Sequence, residues 1–313
     1  MMKYLVTHAY SLSDSVREFT LAISEGSAPQ LTPGCHFRVF IPTINDWRHY
    51  SCVMFSSETR EITFAIRLND CSSSSRYLAS LQEGDVVTLE GPFNHFPVLN
   101  AEGKGRNIVI AGGIGITPLT GIVARQCEAG RTPQFHYYAA TREQAIYSDE
   151  IIKLVGEQCH FHFADGKKIS IQQLLQDLTA ADRIHVCGPA RLLNDVLHYC
   201  DSQGFPRCQI AFELFGTVPV SIEGDEGYEV EAVESGITVK VAPGQSLLDA
   251  LEAVGLELLS DCRRGECGLC ALEVLEGEVE HHDFIMSPEE AAASDMIYPC
   301  VSRAKGTHLK IAL

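Results

Sequence analysis

The stretch that decides how this chain is read is Cys262-Arg263-Arg264-Gly265-Glu266-Cys267-Gly268-Leu269-Cys270, joined by a fourth cysteine at Cys300. Cys-x4-Cys-x2-Cys followed by one distant cysteine is the plant-type spacing for a two-iron two-sulfur cluster. Thiolates are soft ligands that suit iron, and three of them on one short loop reach both irons only if the backbone wraps the cluster. Gly265 and Gly268 permit that wrap, because a glycine brings its peptide N–H close to a sulfide with no Cβ in the way. Structural zinc is the competing reading. Zinc is usually held by two Cys-x2-Cys pairs or by a mixture of cysteine and histidine, and no other cysteine or histidine lies within four residues of Cys300. The remaining eight cysteines are scattered singly and read as free thiols that behave as small hydrophobes.

Around this loop the chain is strongly acidic. From Gly224 onward there are 18 acidic and 6 basic residues, against 23 and 18 in the rest, and the whole carries a formal charge of −17. A phosphate backbone or an anionic lipid surface would be repelled, so no nucleic acid partner and no membrane association are expected. The acidic stretch is either a solvated face or a docking surface for a basic partner. Tyr228 to Leu313 mixes strands with one helix, Ser246 to Ala253. Before it, Thr217 to Tyr228, rich in Val, Pro, Gly and acids, reads as a linker.

Further upstream the pattern changes twice. The first hundred residues read as short strands between turns, at Lys3 to Ala9, Val16 to Ile23, His36 to Ile41, Ile62 to Arg67 and Val86 to Glu90, which suggests a small antiparallel barrel. Asn107 to Ala111 is a continuous apolar strand, and Phe135 to Ala139 and Ile184 to Cys187 are two more. They alternate with helical stretches at Leu119 to Cys127, Ser148 to Glu157 and Ala190 to Ser202, the βαβ rhythm of an open parallel sheet. The expected fold class is therefore multidomain: an antiparallel β-barrel at 1–100, a parallel α/β domain at 101–223 and an α+β domain at 224–313. At 313 residues, 45% hydrophobic and 21% charged, the composition is that of a soluble globular chain with more than one core. The longest apolar run, Ile108 to Ala124, is broken by five glycine and proline residues, and Met1 to His8 turns polar before a signal peptide could develop. A cytoplasmic location is expected.

With these motifs in hand, the C-terminal third resembles the plant-type ferredoxin domain, a β-grasp fold. The whole chain resembles the phthalate dioxygenase reductase family, in which a flavin barrel, a nicotinamide domain and a ferredoxin domain follow in that order. The resemblance makes Cys262, Cys267, Cys270 and Cys300 the iron ligands. Arg48-His49-Tyr50-Ser51 matches the family's Arg-x-Tyr-Ser flavin motif. A guanidinium there can pair with a flavin phosphate, a phenol can pack on the ring system, and the Ser51 hydroxyl can bond near the reactive N5. The family's second flavin element is a glycine-rich turn before a helix. Here it is Asn69-Asp70-Cys71-Ser72-Ser73-Ser74-Ser75-Arg76, without the glycines, so the phosphate would meet Ser74, Ser75 and the following amides, with Arg67 or Arg76 supplying charge. A plain serine-rich helix cap is the other reading. Gly91-Pro92-Phe93-Asn94-His95-Phe96-Pro97 resembles the end of the family's barrel. No stretch resembles a segment that holds the adenosine of FAD, so FMN is the implied flavin.

Gly112-Gly113-Ile114-Gly115-Ile116-Thr117-Pro118 resembles the family's nicotinamide-side loop, whose glycines admit a dinucleotide pyrophosphate to the backbone and the helix that follows. In relatives Cys187-Gly188-Pro189 lies near the nicotinamide ring. Thr141 and Arg142 are candidates for the adenosine side or a solvated loop, and Phe215 for the flavin face or the core. Ser51, Cys187 and Phe215 are thus the expected catalytic residues. NADH gives two electrons as a hydride, a cluster of this type takes one at a time, and a flavin can do both, so no acid, base or Ser-His-Asp constellation is required. The implied function is an NADH-dependent reductase component that feeds a Rieske-type terminal oxygenase. The alternative is a redox-sensing or cluster-carrying protein with degenerate flavin and nucleotide sites.

Overall fold

The computed structural model describes residues 1–24, 27–56, 61–68, 72–166, 169–216 and 226–313. The chain divides into two compact units, Met1–Phe215 and Gly216–Leu313. The expected linker at Thr217 to Tyr228 and the turn at Asn69 to Cys71 lie largely outside the described residues.

The first unit opens with six antiparallel strands, β1 (Met2–Ser13), β2 (Val16–Ile23), β3 (His36–Ile41), β4 (Asp46–Ser51), β5 (Ile62–Arg67) and β6 (Val86–Phe93). One helix, α1 (Ser73–Ser80), lies between β5 and β6. The sheet order is β4-β3-β6-β1-β2-β5, and Val53 N–H donates to the Thr63 carbonyl at 2.9 Å, drawing the two edges together into a barrel. Tyr4, Phe19, Phe37, Val39, Phe64 and Leu89 fill its interior. The alternation along β3 and β5 made those strands legible, whereas β4 (Asp-Trp-Arg-His-Tyr-Ser) is polar and was not expected as a strand. Its full register with β3, from His36 opposite Ser51 to Ile41 opposite Asp46, explains why it forms: a polar edge strand is held by the ladder.

The same unit continues with β7 (Asn107–Gly112), α2 (Ile116–Glu128), β8 (Gln134–Ala139), α3 (Ser148–Val155), β9 (Cys159–Phe163), α4 (Ile171–Leu174), β10 (Arg183–Gly188), α5 (Ala190–Ser202) and β11 (Ile210–Leu214). All strand pairs are parallel, in the order β11-β10-β7-β8-β9. The order reverses beside β7, which opens a crevice at the carboxyl ends of the strands. β7 is buried along its whole length, as a central strand covered on both faces should be. The joint between barrel and sheet is fastened by side chains. Leu99 N–H donates to His185 Nε2 at 2.9 Å, Gln126 Nε2 to the Leu99 carbonyl at 2.9 Å, Ala101 N–H to Asn107 Oδ1 at 2.8 Å, and Arg131 Nη1 to the Ala101 carbonyl at 2.7 Å.

The second unit holds β12 (Tyr228–Ala232), β13 (Ile237–Val241), α6 (Leu247–Ala253), β14 (Leu272–Glu276), β15 (Val279–Glu280), α7 (Pro288–Ala293), β16 (Met296–Ile297), β17 (Arg303–Ala304) and β18 (His308–Ile311). Its five-stranded sheet runs β13-β12-β18-β14-β16, with the first and last long strands, β12 and β18, parallel at its centre. Helix α6 starts at Ser246, whose hydroxyl accepts from the Asp249 N–H at 3.0 Å. Leu247, Ala250 and Leu251 pack it on Val230, Val239 and Leu309, the β-grasp arrangement. Among the described residues no helix is long and apolar enough to cross a membrane.

Candidate functional site

The cysteine loop follows α6 in the second unit. Arg263, Gly265 and Gly268 have φ of 51°, 74° and 77°, so three left-handed positions coil the nine residues from Cys262 to Cys270 back on themselves. Gly265 has no alternative: a Cβ there would stand 2.6 Å from Val301 Cγ2 and 3.0 Å from Asp283 Cα. Arg263, which pays for its strained φ, reaches back to Asp249 Oδ1 at 2.9 Å and to Glu252, both on α6. On the other side Leu248 N–H donates to the Pro299 carbonyl at 3.0 Å and brings Cys300 under the loop.

The result is a convergence of all four thiols. Cys270 Sγ and Cys300 Sγ are 3.4 Å apart, and Cys262 shares a hydrogen bond with Cys267. Backbone N–H groups aim at the sulfurs, that of Arg264 at Cys262 Sγ from 3.4 Å. Each pair shares a proton unequally. The bond from Cys262 and the Leu269 N–H lower the Cys267 thiol to about 6, while the Cys262 thiol is pushed up by the same bond and by burial. Cys270 is lowered and Cys300 raised through their mutual bond in the same way. A donor set of four thiols meeting two and two suits a cluster in which each of two irons takes two thiolates, and binding would expel the shared protons.

In the first unit, Arg48 and Tyr50 project from one side of β4 and Ser51 from the other. Arg48 is exposed and paired with Asp46. Tyr50 packs against Phe64 with ring centroids 6.3 Å apart, and burial pushes its phenol up to about 12. Ser51 is buried, and its hydroxyl donates to Glu213 Oε1 at 2.6 Å. Glu213 escaped the sequence reading. The available signal was an acid inside an apolar strand end, Ala211-Phe212-Glu213-Leu214, two residues before Phe215. Ser74 and Ser75 occupy the first turn of α1, which Ser72 caps by accepting from the Ser75 N–H at 3.1 Å.

A cavity of about 780 Å³ opens at the switch point of the parallel sheet. Gly112 and Gly113 line it, with Arg67 and Val16 from the barrel, Arg191 and Asp195 from α5, and Phe215 after β11. Each glycine here has its own reason. A Cβ on Gly115 would stand 2.3 Å from the Cys187 carbonyl oxygen, and one on Gly112 would stand 2.7 Å from Leu192 Cδ2 and 3.3 Å from Gly188 Cα. Gly113 has φ 55° and nothing within 4 Å of its Cβ position, and its carbonyl accepts from the Tyr137 hydroxyl at 3.1 Å. Thr117 turns inward and donates to the Ile114 carbonyl at 3.1 Å. Cys187 is fully buried in the core, and Gly188 is buried beside it at the end of β10. Phe215 is tied by its N–H to the Gly188 carbonyl at 2.8 Å. Thr141 and Arg142 are exposed and do not line the cavity. Tyr138, Gln144, His162 and Arg191 do, and none of the four was expected.

Comparison with known proteins places the same pieces in the same order. Residues 3–97 match the oxidoreductase FAD-binding domain and residues 230–305 the 2Fe-2S iron-sulfur cluster binding domain. The chain is similar to the heme-dependent oxidative N-demethylase beta subunit of Ectopseudomonas mendocina (strain ymp), 33% identical over 305 residues, which are 96% of each chain. It is similar also to a vanillate O-demethylase oxidoreductase of Pseudomonas putida, 28% identical over 97% of this chain and 98% of the relative. The solved structure of phthalate dioxygenase reductase, described as a modular structure for electron transfer from pyridine nucleotides to [2Fe-2S], superposes with a TM-score of 0.69 at 25% identity. It covers 100% of this chain and 98% of that one.

Barrel, parallel sheet and cysteine loop therefore define an electron-transfer oxidoreductase with a flavin domain and a 2Fe-2S domain in one chain. The chain belongs to the phthalate dioxygenase reductase family.

Proposed function

We propose that this chain is the NADH-dependent reductase component of a two-component, Rieske-type oxygenase. Residues 1–100 would hold FMN, residues 101–223 NADH and residues 224–313 the 2Fe-2S cluster on Cys262, Cys267, Cys270 and Cys300. The observation that carries this reading is the meeting of four thiols, two and two, in a chain that also joins a barrel to a nucleotide-type sheet. When bound, the flavin supplies a two-electron acceptor for hydride and the cluster a one-electron carrier.

The chain's own residues bind and orient. Arg48, Arg67, Ser74 and Ser75 offer charge and hydroxyls to the FMN phosphate, and Tyr50 gives the ring system an aromatic neighbour. The N-terminus of α1 is the only helix start in the barrel's described residues and favours an anion. Ser51, fixed by Glu213, presents its oxygen in one orientation. Gly112, Gly113 and Gly115 let the pyrophosphate approach the turn before α2, while Gly188 and Phe215 border the nicotinamide end. FMN is chosen over FAD because no stretch resembles an adenosine-binding segment. A cytoplasmic site of action agrees with the supply of NADH.

A second reading concerns only the acceptor. The 33% identical relative is the beta subunit of a heme-dependent demethylase, so a heme-containing oxygenase is the rival to a Rieske protein. Anaerobic addition of NADH to purified protein tests the core of the proposal: both the flavin and the iron-sulfur bands should bleach. An iron-sulfur spectrum without flavin and without response to NADH would leave the redox-sensing alternative standing. Purified Rieske and heme oxygenases, offered in turn as acceptors, decide between the partners.

A further inference from the structure

Two short stretches of the second unit run side by side. Strands β15 and β17 pair with Glu280 opposite Arg303, so the residues after β15, His281 to Phe284, pass those before β17, Cys300 to Ser302. Where the ladder ends, side chains continue it. His282 N–H donates to Ser302 Oγ at 3.1 Å, and that hydroxyl donates to Asp283 Oδ2 at 3.3 Å. The other carboxylate oxygen, Oδ1, accepts from the Ile285 and Met286 N–H groups at 3.1 and 3.0 Å and closes a turn. That turn rests on the cysteine loop. Phe284 N–H donates to the Gly265 carbonyl at 2.9 Å, Asp283 Cα is 3.0 Å from where a Cβ on Gly265 would stand, and Ile285 Cδ1 is 3.7 Å from the same position on Gly268.

Asp283 is therefore tied to both carriers of the four thiols: to Cys262–Cys270 through the turn, and to Cys300 through Ser302, two residues past it. Its side chain is 1% exposed, and Ser302 is buried as well. A carboxylate this deep costs stability unless its oxygens are bonded. Here two N–H groups and a hydroxyl bond them, and His281 Nδ1 lies 3.4 Å from Oδ2. A fixed negative charge beside a cluster opposes the arrival of an electron, and net charge is one of the levers that set a cluster's reduction potential.

We propose that Asp283 is a positioning residue of the iron-sulfur centre: it holds Cys300 in place under the three-cysteine loop, and its buried charge keeps the reduction potential lower than the four thiolates alone would set it. The inference rests on the reading that the four cysteines bind the cluster, and its test tells the two apart.

The purified full-length chain is analysed for iron and inorganic sulfide, titrated with redox dyes while the paramagnetic resonance of the reduced centre is followed, and exposed to an iron chelator. Asp283→Asn keeps the acceptor of the turn and removes the charge. Its iron and sulfide should stay near those of the unaltered protein, while the midpoint rises enough to leave the centre about tenfold more reduced at a given potential. Ser302→Ala keeps the charge and cuts the link toward Cys300, so the chelator should strip iron severalfold faster with the midpoint little changed. An unmoved or lowered midpoint in Asp283→Asn would overturn the proposal, as would a Ser302→Ala protein that resists the chelator as well as the unaltered one. Absence of iron and sulfide from the unaltered protein would instead refute the cluster reading.

Discussion

Ser51 and Glu213 stand 162 positions apart in the chain, yet the serine hydroxyl donates to the glutamate in a buried bond of 2.6 Å. One residue closes the polar edge strand of the barrel and the other sits near the end of the last strand of the parallel sheet. A buried hydroxyl bonded to a carboxylate contributes about 1.5–3 kcal/mol, and its loss leaves the acid without that partner. Ser51→Ala should slow NADH-driven flavin reduction by about an order of magnitude while the flavin stays bound. Glu213→Gln, which can still accept the bond, should be milder. A double-mutant cycle on stopped-flow rates checks the pair: additive effects would mean that the bond does not orient the serine.

The four thiols and the barrel serve different steps, so they should fail separately. Cys267→Ser removes one member of the Cys262/Cys267 couple, and reduction of the partner oxygenase should be abolished. Flavin reduction by NADH should continue at close to its usual rate. Absorbance at the flavin and iron-sulfur bands reads both in one experiment, and equal loss of the two would contradict separate sites.

Neighbouring glycines predict opposite tolerances. In Gly115→Ala the new methyl would stand 2.3 Å from the Cys187 carbonyl oxygen, backbone that cannot step aside, and a loss of about 2 kcal/mol or more in stability is expected. Gly113→Ala meets open space and bears only the strain of φ 55°, about 1 kcal/mol. Its effect should fall on the KM for NADH instead, because the methyl faces the cavity. Thermal melts beside NADH kinetics distinguish the two outcomes.

Two buried histidines set an acid limit. Burial lowers His136 to about 3 and His185 to about 4, from 6.5. Between those values and 6.5 the unfolded chain binds protons that the folded chain refuses, so stability is complete above about pH 6.5 and is lost as the pH falls. By pH 5 each histidine costs about 2 kcal/mol. The melting temperature should fall between pH 7 and pH 5, and less steeply in His136→Asn. A flat profile would show that neither imidazole resists protonation.

Much of this was readable in advance because it is local. The cysteine loop carries its ligands and hinge glycines within nine residues, and the apolar run before Gly112 announces a buried parallel strand. What escaped was set by partners distant in the chain. β4 is polar and exists because β3 and the ladder hold it. β9 (Cys-His-Phe-His-Phe) was missed since its histidines break the apolar run; His160 is exposed, and His162 is buried beside His136 on β8. Glu213 is marked locally only as an acid in an apolar strand end, and its role shows once Ser51 is brought against it. Thr141 and Arg142, chosen for their chemistry, are exposed, while Tyr138, three residues earlier, lines the cavity and carries no mark that sets it apart from a core aromatic in the sequence.

The segment around Leu99 and Ala101 is pinned by His185, Gln126, Asn107 and Arg131, so it works as a girder and not as a tether. The gap between the nucleotide crevice and the barrel is therefore settled once, as the polypeptide folds, and need not be rebuilt at each turnover. An engineer grafting this first unit onto a foreign redox module should treat Met1 to Phe215 as one cassette and make no cut near Leu99.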